Sequence, residues 1–391
     1  MNQVRMHGAH LLLAAVALGA AACSDSSTAP LNDTATLSRA ATPAVASDEG
    51  AVYTMTNATA GNEVVAFHRG ANGALSPLGT FSTGGLGTGG TVDPLGSQYA
   101  LILSADHRLL VAVNAGSNTV TAFRVAAGGA LTRADEAPSG GDRPVSLALS
   151  NGLLYVLNAG DNTVGALRLN PQGKMSVIPH GVRALAAAAS GGAAVHFTAD
   201  GSELIVSERT ANRLETMSVG ANGRLGAPVV TASNGAVPFG LDVTSAGTVV
   251  VSEAGGAAPN GAVSTYRAGP AGALSILTAS VDAGGRASCW IIVTADGRIA
   301  FIANSASQAI ASAAIAPDGT IAILNPFAAT PGAGTIPIDI DLSAGDSYLY
   351  TLEAGAGTIG GFAVGPNGTL TPAGTVTAGP ASGGLQGVAA Y

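Results

Sequence analysis

Leu153-Leu154-Tyr155-Val156-Leu157-Asn158-Ala159-Gly160-Asp161-Asn162-Thr163-Val164 reads as an apolar run, a tight polar turn and the start of a second apolar run. The same pattern returns at Val111 to Val120 (VAVNAGSNTV), Leu204 to Leu214 (LIVSERTANRL), Phe301 to Ile310 (FIANSASQAI) and Leu349 to Ile359 (LYTLEAGAGTI). Looser copies at Val52 to Val64 and Val249 to Val263 bring the count to seven. Successive copies lie roughly 45–50 residues apart, which is the spacing of four-stranded propeller blades and not of helical or leucine-rich repeats.

Around each copy the chain reads as four short strands separated by turns. Asp200-Gly201 and Asp296-Gly297 supply the positive φ that a tight hairpin needs. Six first strands precede such turns, beginning near Gln98, Arg143, Gly192, Val237, Ala287 and Ile336, against seven copies of the second strand. The segment Gly384 to Tyr391 (GLQGVAAY) reads as the missing first strand, so the carboxyl terminus is expected to complete the blade begun at Val52 and close the ring. The predicted fold is therefore all-β: a seven-bladed propeller of four-stranded antiparallel blades. The composition agrees, since 55 glycines with abundant Val, Thr and Ala suit short strands and tight turns.

The amino terminus carries Arg5, an uncharged stretch from Leu11 to Ala22 and then Cys23. This is a positive n-region, a short h-region and a small-residue cleavage site, too short to span a bilayer. Ala20-Ala21-Ala22-Cys23 reads as a lipobox, which predicts a signal peptide over 1–22 and lipidation of Cys23; the alternative is cleavage and release. Residues 23–50, rich in Ser, Thr, Ala, Asp and Pro, read as a disordered tether, and 51–391 as the propeller. Ser24 after Cys23 fits an outer-membrane destination, so the expected place is the bacterial cell envelope. Acylation of Cys23 would leave Cys289 as the single remaining thiol. The net charge of −8 and the absence of any basic cluster in the mature chain argue against nucleic acid as a partner.

Propeller strands alternate in direction, so the start of each first strand and the turn after each second strand share one face. Counting back from each third strand places Asn114, Asn158, Glu208, Asn304 and Glu353 there, with Glu253 beside them. Arg209 adjoins Glu208, while Arg143 and Arg286 stand at first-strand starts. A mixed Glu/Arg mouth is expected, able to orient a water or sugar hydroxyl and to bind a carboxylate or a developing oxyanion. His196 falls on a first strand and could face the channel. Cys289 and Trp290 lie on another, with packing the expected role of the thiol. No metal-ligand spacing is visible and no cofactor is implied.

The NAGSNTV and NAGDNTV turns, the Gly-x-Leu starts of fourth strands at Gly73-Ala74-Leu75 and Gly368-Thr369-Leu370, and the closing strand resemble the seven-bladed lactonase-type propellers, relatives of 6-phosphogluconolactonase and carboxymuconate cyclase. Leu154 to Asn158 is also similar to YVTN surface-propeller repeats. The resemblance implies a channel site with arginines, a glutamate and a His-Pro-His-like strand start. Here the corresponding stretch is Gly191-Gly192-Ala193-Ala194-Val195-His196. Two functions follow as expectations. One is a lipid-anchored module that binds a sugar acid, a lactone-like molecule or another envelope protein on its Glu/Arg face. The other is an extracytoplasmic lactonase, with Glu208 or Glu253 as general base toward water and Arg209 or Arg143 holding a substrate carboxylate.

Overall fold

A computed structural model describes residues 49–256 and 260–391. The expected signal peptide, the lipidation of Cys23 and nearly all of the tether lie outside the described residues. Among the described residues, twenty-nine strands form seven sheets. The third blade shows the plan: Pro144–Ser150, Leu153–Asn158, Thr163–Leu169 and Met175–Val177 pair antiparallel in order. The first blade is completed from both ends of the domain, because Gln386–Ala390 pairs with Gly50–Met55. The innermost strands touch one another in sequence around the whole ring, the seventh blade meeting the closing strand. No free edge is left at the seam, and the Arg69 side chain donates from Nε to the carbonyl of Tyr391 at 2.9 Å. None of the described helices is long and apolar enough to cross a membrane.

The repeated turn has a physical explanation. Asn118, Asn162 and Asn212 hold φ angles of 60, 56 and 51° in the turns after the second strands. Asparagine tolerates this left-handed region better than other non-glycine residues. Its side-chain oxygen then accepts from the backbone leading into the next blade: Arg143 N at 2.8 Å, Ser190 N at 3.1 Å and Val237 N at 2.7 Å. One residue type thus closes a turn and joins two blades.

Bulges interrupt the innermost strands of the third to seventh blades near their starts. Serines on second strands fill two of them. Ser207 Oγ accepts from Ala194 N at 3.0 Å and donates to the carbonyl of Phe239 in the next blade. Ser252 Oγ accepts from Gly240 N at 2.9 Å and donates to the carbonyl of Cys289 at 2.6 Å.

The innermost strand of the second blade departs from expectation. It covers only Leu101–Leu103, not a run from Gln98. The preceding residues, Asp93 to Tyr99, enter the central channel and cross-link its walls. Ser97 Oγ donates to Val145 O at 2.8 Å, Gln98 N to Ala193 O at 3.0 Å and Gln98 Nε2 to Ile291 O at 2.7 Å. Trp290 Nε1 donates to Ser97 O at 2.9 Å, and Leu147 N to Tyr99 O at 3.0 Å. Leu95, Ser97 and Gln98 are fully buried. A backbone buried in a channel must have its polar groups paired, and this segment pairs them with strands of several blades.

Candidate active site at the channel mouth

The glutamates are not gathered at a mouth. Glu208, Glu253 and Glu353 are buried inside their own blades. Glu253 accepts from Ser264 Oγ at 2.5 Å, Ser280 Oγ at 2.7 Å and Gly235 N at 2.9 Å. Glu353 accepts from Thr358 Oγ1 at 2.5 Å. Glu208 shares Arg213 with Glu215, at 3.1 and 2.5 Å. Burial and the neighbouring Glu215 raise the Glu208 carboxyl above its ordinary range. Second strands sit one place out from the channel, so their terminal side chains turn into the blade and tie off its hairpin. Asn158 and Asn304 do the same, Asn158 Nδ2 donating to Thr163 Oγ1 at 3.3 Å and Asn304 Oδ1 accepting from Ser288 Oγ at 2.6 Å.

Two of the three arginines do converge, around a carboxylate that periodicity does not reveal. Asp93 opens the inserted segment with φ 46°. Its Oδ1 accepts from Gly96 N at 2.9 Å and from Gln386 Nε2 at 3.2 Å, while Gln386 Oε1 accepts from Leu95 N at 3.1 Å. Arg209 donates from Nε to Gly191 O at 3.2 Å and lies 5.3 Å from the centre of the Phe239 ring. Its terminal nitrogens press on Gly96, where a Cβ would stand 2.5 Å from Nη1. Arg143 donates from Nη2 to Pro94 O at 2.8 Å. Burial raises the Asp93 carboxyl to about 7, against the opposing pull of Gln386 and the Arg209 charge. Burial lowers the Arg209 guanidinium, with Asp93 acting in the opposite direction and Arg143 in the same one. Two guanidinium groups within electrostatic reach of each other and a carboxyl poised near neutrality can hold an anion or polarise a carbonyl.

The remaining residues lie apart. Arg286 is exposed on the loop entering the sixth blade. Trp290 packs edge-on against Phe239 with ring centres 5.0 Å apart. Cys289 is buried, and burial lifts its thiol to about 12, so it stays protonated near neutrality. His196 faces a cavity toward the opposite end of the channel, with Nε2 3.6 Å from Asp242 Oδ1. No local signal marks Asp93, since Asp93-Pro94 reads as an ordinary turn before the second blade; only the insertion of that segment makes it central. Among the described residues no three His, Cys, Asp or Glu side chains form a metal-ligand set.

The sequence matches the family Lactonase, 7-bladed beta-propeller, over residues 46–184 and 99–255. No curated protein matches it. A candidate 6-phosphogluconolactonase from Bacteroides uniformis superposes with a TM-score of 0.68 at 18% identity, covering 87% of this chain and 99% of that one. The periplasmic gluconolactonase of Pseudomonas aeruginosa superposes with a TM-score of 0.66 at 19% identity, covering 86% and 98%. At such identities the likeness to the solved structures is one of fold. The chain belongs to the lactonase family of seven-bladed β-propellers.

Proposed function

We propose that this protein is an exported, lipid-anchored member of the family that binds a small sugar-acid or lactone-like molecule at the Asp93, Arg143 and Arg209 mouth. The observation that carries this reading is the placement of Arg143 and Arg209 around Asp93. Glu208 and Glu253 are withdrawn into the blades, where their oxygens serve hairpin hydroxyls, amides and Arg213. Anchoring through Cys23 would hold the propeller at the envelope surface, and loss of lipid mass in Cys23→Ser checks that part.

A second reading, lactone hydrolysis, is favoured by the Asp93 carboxyl itself. A base near 7 beside Arg209 could take a proton from water while the guanidinium polarises the ring carbonyl. The Asp93→Asn variant separates the two. For binding, an uncharged Asn no longer competes for Arg209, so gluconate titrated by calorimetry at about pH 8 should bind at least as tightly as to the parent chain. For hydrolysis, base release from gluconolactone should disappear. Absence of both gluconate binding and turnover in the parent chain would reject the site.

A further inference from the structure

The channel does not end at the inserted segment. Beyond it, on the side of the hairpins that join first and second strands, lies a cavity of about 670 Å³. Six innermost strands supply an aliphatic wall through Leu103, Leu149, Val243, Ile292, Ile340 and Val388. Among the described residues no Lys or Arg lines it. Sites of this size with a mostly apolar lining and a few polar groups are where small molecules bind.

Most of the polar groups at the cavity are already committed. His196 Nδ1 bonds Phe197 O at 2.7 Å, and Nε2 lies 3.6 Å from Asp242 Oδ1. Asp341 accepts from Leu342 N at 2.8 Å and from Ala390 N at 2.9 Å, one bond to each oxygen. Tyr99 differs. It is the last residue of the inserted segment, held at φ 66°, and its ring lies 5.6 Å from that of His196. Its hydroxyl is buried and meets no acceptor at hydrogen-bond geometry among the described residues; the nearby Gln98 side chain is engaged by Ile291 through both Nε2 and Oε1. A buried phenol without an acceptor is destabilising, and an incoming oxygen would relieve it.

We propose that this cavity is a second ligand site, distinct from the arginine mouth, for an uncharged and largely aliphatic molecule whose oxygen accepts the Tyr99 hydroxyl. An anion would find no Lys or Arg and would meet Asp242, Asp339 and Asp341 around the phenol. A cation would gain little from Asp341, both of whose oxygens already accept backbone amides, while Asp346 accepts from Ala295 N at 2.7 Å.

The test titrates the full chain with decanol, decanoate and decylammonium, which share a chain length and differ in charge. Decanol should bind, and the two charged probes at least tenfold more weakly. Tyr99→Phe should weaken decanol binding roughly two- to tenfold, the value of one hydrogen bond. Val243→Trp and Ile292→Trp each fill the cavity from a half-buried position; whichever retains a cooperative melt should lose decanol binding. No decanol binding by the parent chain, equal binding of decanoate, unchanged affinity in Tyr99→Phe, or unchanged affinity in a folded tryptophan variant would each overturn the proposal. Gluconate titration of the same variants reports on the arginine mouth, so failure at one site is distinguishable from failure at the other.

Discussion

Asn212 shows how much a single turn residue does in this protein. It holds φ 51° and accepts from Val237 N at 2.7 Å, so it serves the fourth blade and the entry to the fifth together. Alanine would strain the left-handed position and leave the Val237 amide without its acceptor. Asn212→Ala should lower stability by about 2–4 kcal/mol, measured by denaturant unfolding. A loss no larger than that of an ordinary surface substitution would show that the inter-blade bond contributes little. The first Asn or Glu of each turn was legible in the sequence as a repeated polar position, but its direction was not. Periodicity places a side chain at a strand end, whereas only the paired sheet decides between channel and blade interior. Glu253 turns inward because Ser264 and Ser280 converge on it from its own blade and Gly235 from the loop that enters that blade.

Among the elements, the closing strand was readable because seven second strands faced only six first strands. The segment Asp93 to Tyr99 was not readable, since its residues have ordinary loop composition and its partners lie as far away in sequence as Ile291 and Gln386. Long-range hydrogen bonding, invisible to local pattern, diverts the expected strand into the channel. The closing strand carries a separate prediction. Removing residues 386–391 exposes the backbone edge of Gly50–Met55, takes away Gln386 from Asp93, and opens the ring. The truncated chain should lose its cooperative melt and elute as aggregate in size-exclusion chromatography. A monomer with the parent Tm would mean that ring closure is dispensable.

For the whole molecule, the channel concentrates carboxyls whose folded-state affinity for protons is raised by burial. Asp93 and Asp341 move from 3.8 to about 7, and Asp242 and Asp339 shift in the same direction. Between the unfolded and folded values the folded chain binds more protons than the unfolded chain, so stability falls as pH rises through this window. The Tm should therefore be higher near pH 5 than near pH 8, at about the two ends of that range. A Tm that climbs with pH over the same interval would mean that these carboxyls are ionised and satisfied in the folded protein. The same arrangement predicts tighter gluconate binding on the acid side of 7, where Asp93 is uncharged and leaves Arg209 to the ligand.

The central claim is that the ligand site lies at the arginine mouth and not at the glutamates of the second strands. Calorimetric titration of gluconate into Arg209→Met and Glu253→Gln variants, beside the parent chain, addresses it most directly. Arg209→Met should weaken binding roughly ten- to hundredfold, the value of a charged hydrogen bond, while Glu253→Gln keeps the parent affinity with a lower Tm. Retained affinity in Arg209→Met together with loss in Glu253→Gln would contradict the account and return the site to the second-strand glutamates.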